Sequence, residues 1–240
     1  MTRALVEKLD AQLKMLPAAI GEAMLAVDRA RFVRDCDRAF AYEDWPLPLD
    51  TPSGATAPPV AELLKRYGTW GDVITAGGMA GVGATISAPH IYPYAFAHLG
   101  LGPGHRHLEL GCGTGYGAAL AAHIVGQSGR VTSVDVDPHL VAAARERCAK
   151  WTNVSLVHAD GRDCASLVGG HDRVWMTFSV TEPPRALIDA LPEGAALLAP
   201  IGAPPPTVQR WMRWQRRDGA IVEQDVAPVM FIPARSLVAT

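Results

Sequence analysis

The sequence predicts an α/β fold: a doubly wound, largely parallel sheet with helices on both faces, preceded by an N-terminal helical extension. Three observations predict it. From about residue 85, short apolar runs alternate with stretches of helical period. A glycine-dense turn, GCGTG at 111–115, joins the first of these runs to the first of these helices. The end of the chain then breaks the alternation. TVQRWMRWQRR, the pair Asp218-Gly219 and AIVEQDVAPVMFI read as an antiparallel hairpin closing the sheet.

In order along the chain, residues 3–16 set Leu5, Leu9, Leu13 and Leu16 at helical spacing, and Pro17 closes that helix. A second helical stretch over 18–33 presents Met24, Val27 and Leu25 on one face. YEDWPLPLDTPSGATAPPV reads as loop, and VAELLKRYG as a short helix stopped by Gly68. The glycine-rich tract at 75–84 suggests a lid or a tight chain crossing. HLEL, RVTSVDV, VSLVHAD, DRVWMTF and AALLAPIG are the strands; YGAALAAHIV, PHLVAAARERCAKW and PPRALIDAL are helices, the second with Pro138 in its first turn. The expected division is an N-terminal helical and inserted part, 1–84, and a ligand-binding core, 85–240.

Composition narrows the function. At 240 residues, 49% hydrophobic and 19% charged, the chain can bury a full core and is not of a disordered type. A net charge of −2 with no basic stripe argues against nucleic acid as partner. No apolar run reaches the length of a bilayer, and the first turns mix acids with bases, so no membrane association is expected. Four cysteines without metal-type spacing fit reduced thiols in a cytoplasmic protein. His105 and His107 share a strand face but have no third ligand nearby, so no metal is expected.

The glycine turn raises the question of its ligand. Gly111, Gly113 and Gly115 give GxGxG, whereas the dinucleotide fingerprint would put its third glycine at position 116, which is Tyr116. Glu109, in front of the turn, would repel a pyrophosphate and suits a ligand carrying an ammonium or sulfonium, such as S-adenosylmethionine (SAM). Asp135, at the end of the next strand, is positioned to accept ribose hydroxyls, with Asp137 pointing the other way. Asp160 and Gly161, after the third strand, offer a polar edge to adenine. The competing reading is that Glu109, Asp135 and Asp160 only cap helices and turns.

These motifs resemble class I SAM-dependent methyltransferases. EAMLAVDRARFV, AYEDWPLPL, ATISAPHIYPYAFAHL and LELGCGTGYGAALAA, in that order, are similar to the protein-L-isoaspartate O-methyltransferase family, as are LPEGAALLAPIG and VMFIPA. The resemblance implies a seven-stranded Rossmann-like sheet with a terminal antiparallel hairpin, the cofactor SAM, and a peptide or protein substrate bearing a free carboxylate. It implies that Ser87 is the active-site hydroxyl, that Thr85, Ile86 and His90 lie along the cofactor, and that Glu109, Gly111, Gly113, Asp135, Asp160 and Gly161 hold SAM. A carboxylate is ionised at neutral pH, so its methylation needs alignment and removal of water but no base.

Two departures from the family bear on the substrate. Some thirty residues, DTPSGATAPPVAELLKRYGTWGDVITAGGMAG, intervene before TIS, and the segment after the fourth strand reads WMTFSVTEPP, bulkier than the family's. The expectation is therefore a carboxyl methyltransferase for a dedicated, modified biosynthetic peptide. General isoaspartyl repair is the first alternative. A small-molecule methyltransferase using His90 or His98 as base and a non-catalytic SAM-fold binding protein are the others. Trp70, Tyr92 and Tyr94 are candidates for a peptide groove, Trp211 and Trp214 for the core, and Cys112 for a small filler in the turn. RARFVRDCDR and RWQRR read as solvated faces able to attract an acidic leader peptide.

Overall fold

The computed structural model describes residues 3–13, 16–50, 57–75 and 84–235. Seven strands form one sheet: β3 (Arg106–Leu110), β4 (Arg130–Asp135), β5 (Val154–His158), β6 (Arg173–Met176), β7 (Ala196–Ile201), β8 (Gln209–Arg217) and β9 (Ala220–Val229). Their order is β5-β4-β3-β6-β7-β8-β9, parallel through β7 and antiparallel from β7 to β9. The winding reverses between β3 and β6. In such sheets the crevice for a ligand opens at that reversal, beyond the carboxyl ends of the strands.

One face carries α5 (Ile91–Leu99), α6 (Tyr116–Val125) and α7 (Pro138–Cys148); the other carries the short α8 (Ala165–Val168) and α9 (Arg185–Asp189). α6 is almost wholly buried, since its alanines let it lie close to both the sheet and α2 (Ala18–Ala26). Asp137 does not face the ligand crevice; its side chain accepts from the His139 and Leu140 amides and caps α7.

The N-terminal segment packs on this first face. Leu5 and Leu9 of α1 (Arg3–Leu13) and Ile20, Met24, Val27 and Phe32 share one core with α5 and α6. The second predicted helix is shorter than expected. It ends at Ala26, and Asp28 then caps a short 3-10 turn at Arg29–Arg31 through the Ala30 amide. Leu25, within this helix, faces outward at 41% exposed, while Met24 and Val27 are buried. The loop 42–60 contains an unexpected strand, β1 (Leu47–Pro48), which pairs antiparallel with β2 (Thr85–Ile86).

Within the insertion, α3 (Val60–Tyr67) and α4 (Trp70–Thr75) pack back on the N-terminal part. Arg34 donates to the carbonyls of Ala57 and Pro58, and Asp37 accepts from the Val60 amide. Residues 76–83, most of the expected lid, lie outside the described residues, as do 51–56. Among the described residues no helix is long and apolar enough to cross a membrane.

Candidate active site

A cavity of about 1410 Å³ opens at the carboxyl ends of β3, β4 and β6. The glycine turn forms its floor. Gly111 has φ +104° and bonds to the Val134 carbonyl; a Cβ there would run into Thr177, whose hydroxyl donates to the Leu110 and Gly111 carbonyls. The Gly113 amide donates to Asp135 at 2.9 Å. Gly115 departs from expectation. It does not line the cavity; a Cβ on it would meet Cys148 and Ala144 of α7, so this glycine serves helix packing. Gly117 was not foreseen as a site residue. A Cβ there would collide with the Glu109 carboxylate, so the bare α6 turn makes room for that acid.

The three acids converge on this cavity. Glu109 is 2% exposed and accepts from the Ser133 hydroxyl; burial pushes its pKa up to about 8, against the pull of that hydrogen bond. Asp135 accepts from the Gly113 and Asp137 amides and meets the Arg235 guanidinium at 3.3 Å. Asp160 accepts from the Arg162 amide and is clamped by the Arg162 side chain, whose hydrogen bonds lower its pKa. Asp135 and Asp160 thus satisfy local backbone donors and line the cavity at once.

The opposite wall is the segment Thr85–Ile91. Thr85, Ile86, Ser87 and His90 all line the cavity. The β1–β2 pair fixes the segment from one side, and Arg29 fixes it from beneath. Arg29 is wholly buried; it donates to the carbonyls of Ala41 (2.7 Å), Trp45 (3.0 Å) and Ser87 (3.0 Å). RARFVRDCDR is therefore no solvated face at this residue. Burial lowers the Arg29 pKa, while Tyr92, Tyr116 and Asp44 oppose that shift.

His90 faces Asp44, which accepts from its amide at 3.0 Å and lies 2.9 Å from Nδ1. Burial works to raise the Asp44 pKa, but the hydrogen bonds and charge of His90 bring it below the ordinary value. Tyr92 stands edge-on to Tyr116 and to Trp175, and burial raises its pKa despite Arg29 nearby. Trp70 stacks on Trp45 (5.4 Å, 9°) and does not line the cavity, whereas Tyr92 and Tyr94 do. Cys112 is a buried wall residue whose thiol burial pushes well up. His98 sits between Tyr94 and Trp211, off the cavity wall. Trp211 and Trp214 are both buried.

Two covering segments were not foreseen as part of the site. Phe178, in the rebuilt loop after β6, packs against Gly161 and over Gly111. Residues 231–235 cross from the β9 edge to the sheet centre: Ser179 bonds to Ile232 and Ala234, and Arg235 reaches Asp135 and Asp137. The sequence carried no signal for pairings across such separations. Among the described residues no group of three or more His, Cys, Asp or Glu is arranged to hold a metal ion.

A family model described as protein-L-isoaspartate(D-aspartate) O-methyltransferase (PCMT) matches residues 1–239. The chain belongs to this family. Among PCMT relatives, the protein-L-isoaspartate O-methyltransferase of Pyrobaculum neutrophilum is 30% identical over 98% of this chain and 99% of its own length. That of Methanothrix thermoacetophila is 34% identical over 76% and 73%. A Plasmodium falciparum structure, provisionally named a protein-L-isoaspartate O-methyltransferase and solved with S-adenosyl-L-homocysteine, superposes with a TM-score of 0.73 at 20% identity, covering 97% of each chain. A second structure of that enzyme name gives 0.77 at 23% identity, over 98% of this chain and 66% of the other. As a PCMT member the protein is a SAM-dependent carboxyl O-methyltransferase. The residues fit that cofactor. The glycine turn at the cavity floor and the buried carboxyl of Glu109, which lines the cavity, suit a cationic ligand better than a phosphate.

Proposed function

We propose that this PCMT member methylates a carboxylate on a peptide or protein, with Ser87 as the hydroxyl that aligns it. The observation that carries the reading is the backbone of Ser87, held by a wholly buried arginine at the wall of the cavity that the three acids also line. SAM, when bound, supplies an electrophilic methyl group on its sulfonium. The chain's own residues do the rest. Glu109, Gly111, Gly113, Asp135, Asp160 and Gly161 hold the cofactor from the strand ends, with Thr85, Ile86 and His90 along its other side. Gly115 acts indirectly, by seating α6 against α7. The Ser87 hydroxyl donates to one oxygen of the substrate carboxylate and leaves the other free to attack. Phe178, Trp175 and the 231–235 segment exclude water, which strips the carboxylate of its hydration.

An isoaspartyl carboxylate is the first substrate reading, supported by the names of the curated relatives over nearly their full length. A dedicated modified peptide is the second, favoured by Phe178 of the rebuilt loop in the cavity lining and by the inserted helices α3 and α4. Two synthetic peptides, identical except for isoaspartate or aspartate at one position, separate them in an assay with labelled SAM. Methylation of the isoaspartyl peptide alone establishes the first reading. Methylation of neither, with SAM bound, favours the second. Loss of one hydrogen bond to a charged group costs about 1.5–3 kcal/mol, so Ser87→Ala should lower turnover about 10- to 100-fold. Its SAM affinity should stay unchanged; equal loss of both would remove Ser87 from the proposed role.

A further inference from the structure

Past the cavity, the sheet face along β8 on the α5 side is cationic. Trp211 of β8 and Tyr94 of α5 line the cavity, and His98 lies against both. Along β8 the residues on the Trp211 face are Arg213, Gln215 and Arg217, because successive side chains of a strand alternate. Pairing across the sheet adds Arg173: Arg173 of β6 opposes Ala196 of β7, which opposes Gln215 of β8. Gln215 ties the group together. Its Oε1 accepts from both Arg213 and Arg217 at 2.8 Å, and its Nε2 reaches the Gly194 carbonyl, which Arg173 also contacts.

No carboxylate among the described residues makes an ion pair with these three guanidiniums. The nearby acids are engaged elsewhere: Glu223 with Trp214 and Asp225 with Arg210 on the opposite face, Glu193 with the hairpin turn, Asp172 with Arg106. The Arg213 Nε is buried without a partner. Burial lowers the Arg213 pKa and the charges of Arg217 and Arg173 lower it further, while at Arg173 the Asp172 charge works against the lowering by burial. β9, the edge strand beside them, sets Gln224, Val222 and Ala220 opposite them on this face, all exposed and none charged.

We infer that Arg173, Arg213 and Arg217 form a docking trough for acidic side chains of the substrate polypeptide, flanking the carboxylate held in the cavity. The inference rests on the peptide-methylating reading above and adds a sequence preference to it. Charge complementarity selects this occupant: three guanidiniums without a carboxylate partner among the described residues lie on the sheet face that begins at the cavity-lining Trp211. A strand rises about 3.4 Å per residue, so Arg213 lies about 7 Å and Arg217 about 20 Å beyond Trp211. Counted from a substrate residue seated at Trp211, an extended chain would place its acidic residues about two to six positions away.

The test uses labelled isoaspartyl peptides carrying either glutamate or glutamine two to six positions from the target, on its N-terminal side in one pair and its C-terminal side in the other. Fluorescence anisotropy with the whole protein reads binding, and methyl transfer reads KM. One glutamate peptide should bind about tenfold more tightly than its glutamine twin at low salt, and the gap should close as salt rises. The double variant R213Q/R217Q should abolish the gap while leaving glutamine-peptide binding and SAM affinity unchanged; R213K/R217K should restore most of it. Equal binding of both twins by the unaltered protein overturns the inference, as does a gap that survives R213Q/R217Q. Tighter binding of a single-stranded oligonucleotide of equal charge overturns it in favour of a nucleic-acid surface. If the glutamate peptide binds selectively but no peptide is methylated, the methylation reading fails and the docking trough stands.

Discussion

The Glu109 carboxyl shows at the residue scale how burial sets chemistry. With a pKa near 8 against an ordinary 4.5, it is neutral in the folded protein over much of the range where it would be ionised in an unfolded chain. The folded state then binds the extra proton. Its contribution to stability is fully present below about pH 4.5 and is lost as pH rises through about 8. A cationic ligand beside it reverses the preference, because an opposite charge favours the ionised form. SAM binding near pH 7 should therefore release close to one proton, and affinity should rise with pH toward 8. Calorimetry in two buffers of different ionisation enthalpy checks this. Glu109→Gln should abolish the proton release and weaken SAM binding; a buffer-independent binding heat in the unaltered protein would refute the coupling.

At the scale of elements, Arg29 joins three stretches of chain that no local rule connects. Its acceptors lie 12, 16 and 58 residues away, so a sequence-local reading saw only a charged run. Where local chemistry decides, the structure follows the sequence pattern. α6 spans the residues expected of it, and Gly68 stops α3 with φ +93°. The 18–33 helix failed because Asp28 captures the Ala30 amide and starts a new turn, a capping choice that competes with helix continuation. Arg29→Met leaves three carbonyls without their donor, the Ala41 carbonyl buried and those of Trp45 and Ser87 part-buried, and should destabilise the fold by about 3 kcal/mol. Denaturant midpoints measure that cost. In the surviving folded fraction kcat should fall while SAM affinity holds, since the loss is transmitted through the Ser87 backbone.

At the scale of the molecule, the site is closed by the return of the chain end across the sheet. Gln209, 1% exposed at the start of β8, grips Phe231 from both sides: its Nε2 donates to the Phe231 carbonyl and its Oε1 accepts from the Phe231 amide. Gln209→Leu should release that grip at a cost of about 1–3 kcal/mol for the orphaned groups. Because residues 231–235 cover the cavity, SAM should then stabilise the variant less than the unaltered protein. Melting curves with and without SAM measure the difference; an undiminished SAM-induced shift would show that the segment does not guard the cofactor.

The sequence by itself determined the sheet, the hairpin that closes it, the glycine turn and the order of three acids at successive strand ends. These are short-range properties: a side-chain period, a φ above zero, a cap, a turn pair. It determined too that Ser87 and His90 belong near the turn, through the resemblance of ATISAPH to a known family. Only the tertiary structure decided which glycines face the ligand and which face a helix, that Asp44 partners His90 from 46 residues away, and that Arg29 is buried. It alone brought Arg173 of β6 into line with Gln215 of β8. Those outcomes depend on packing between distant segments, where a side chain's fate is set by the space and donors that other elements leave it.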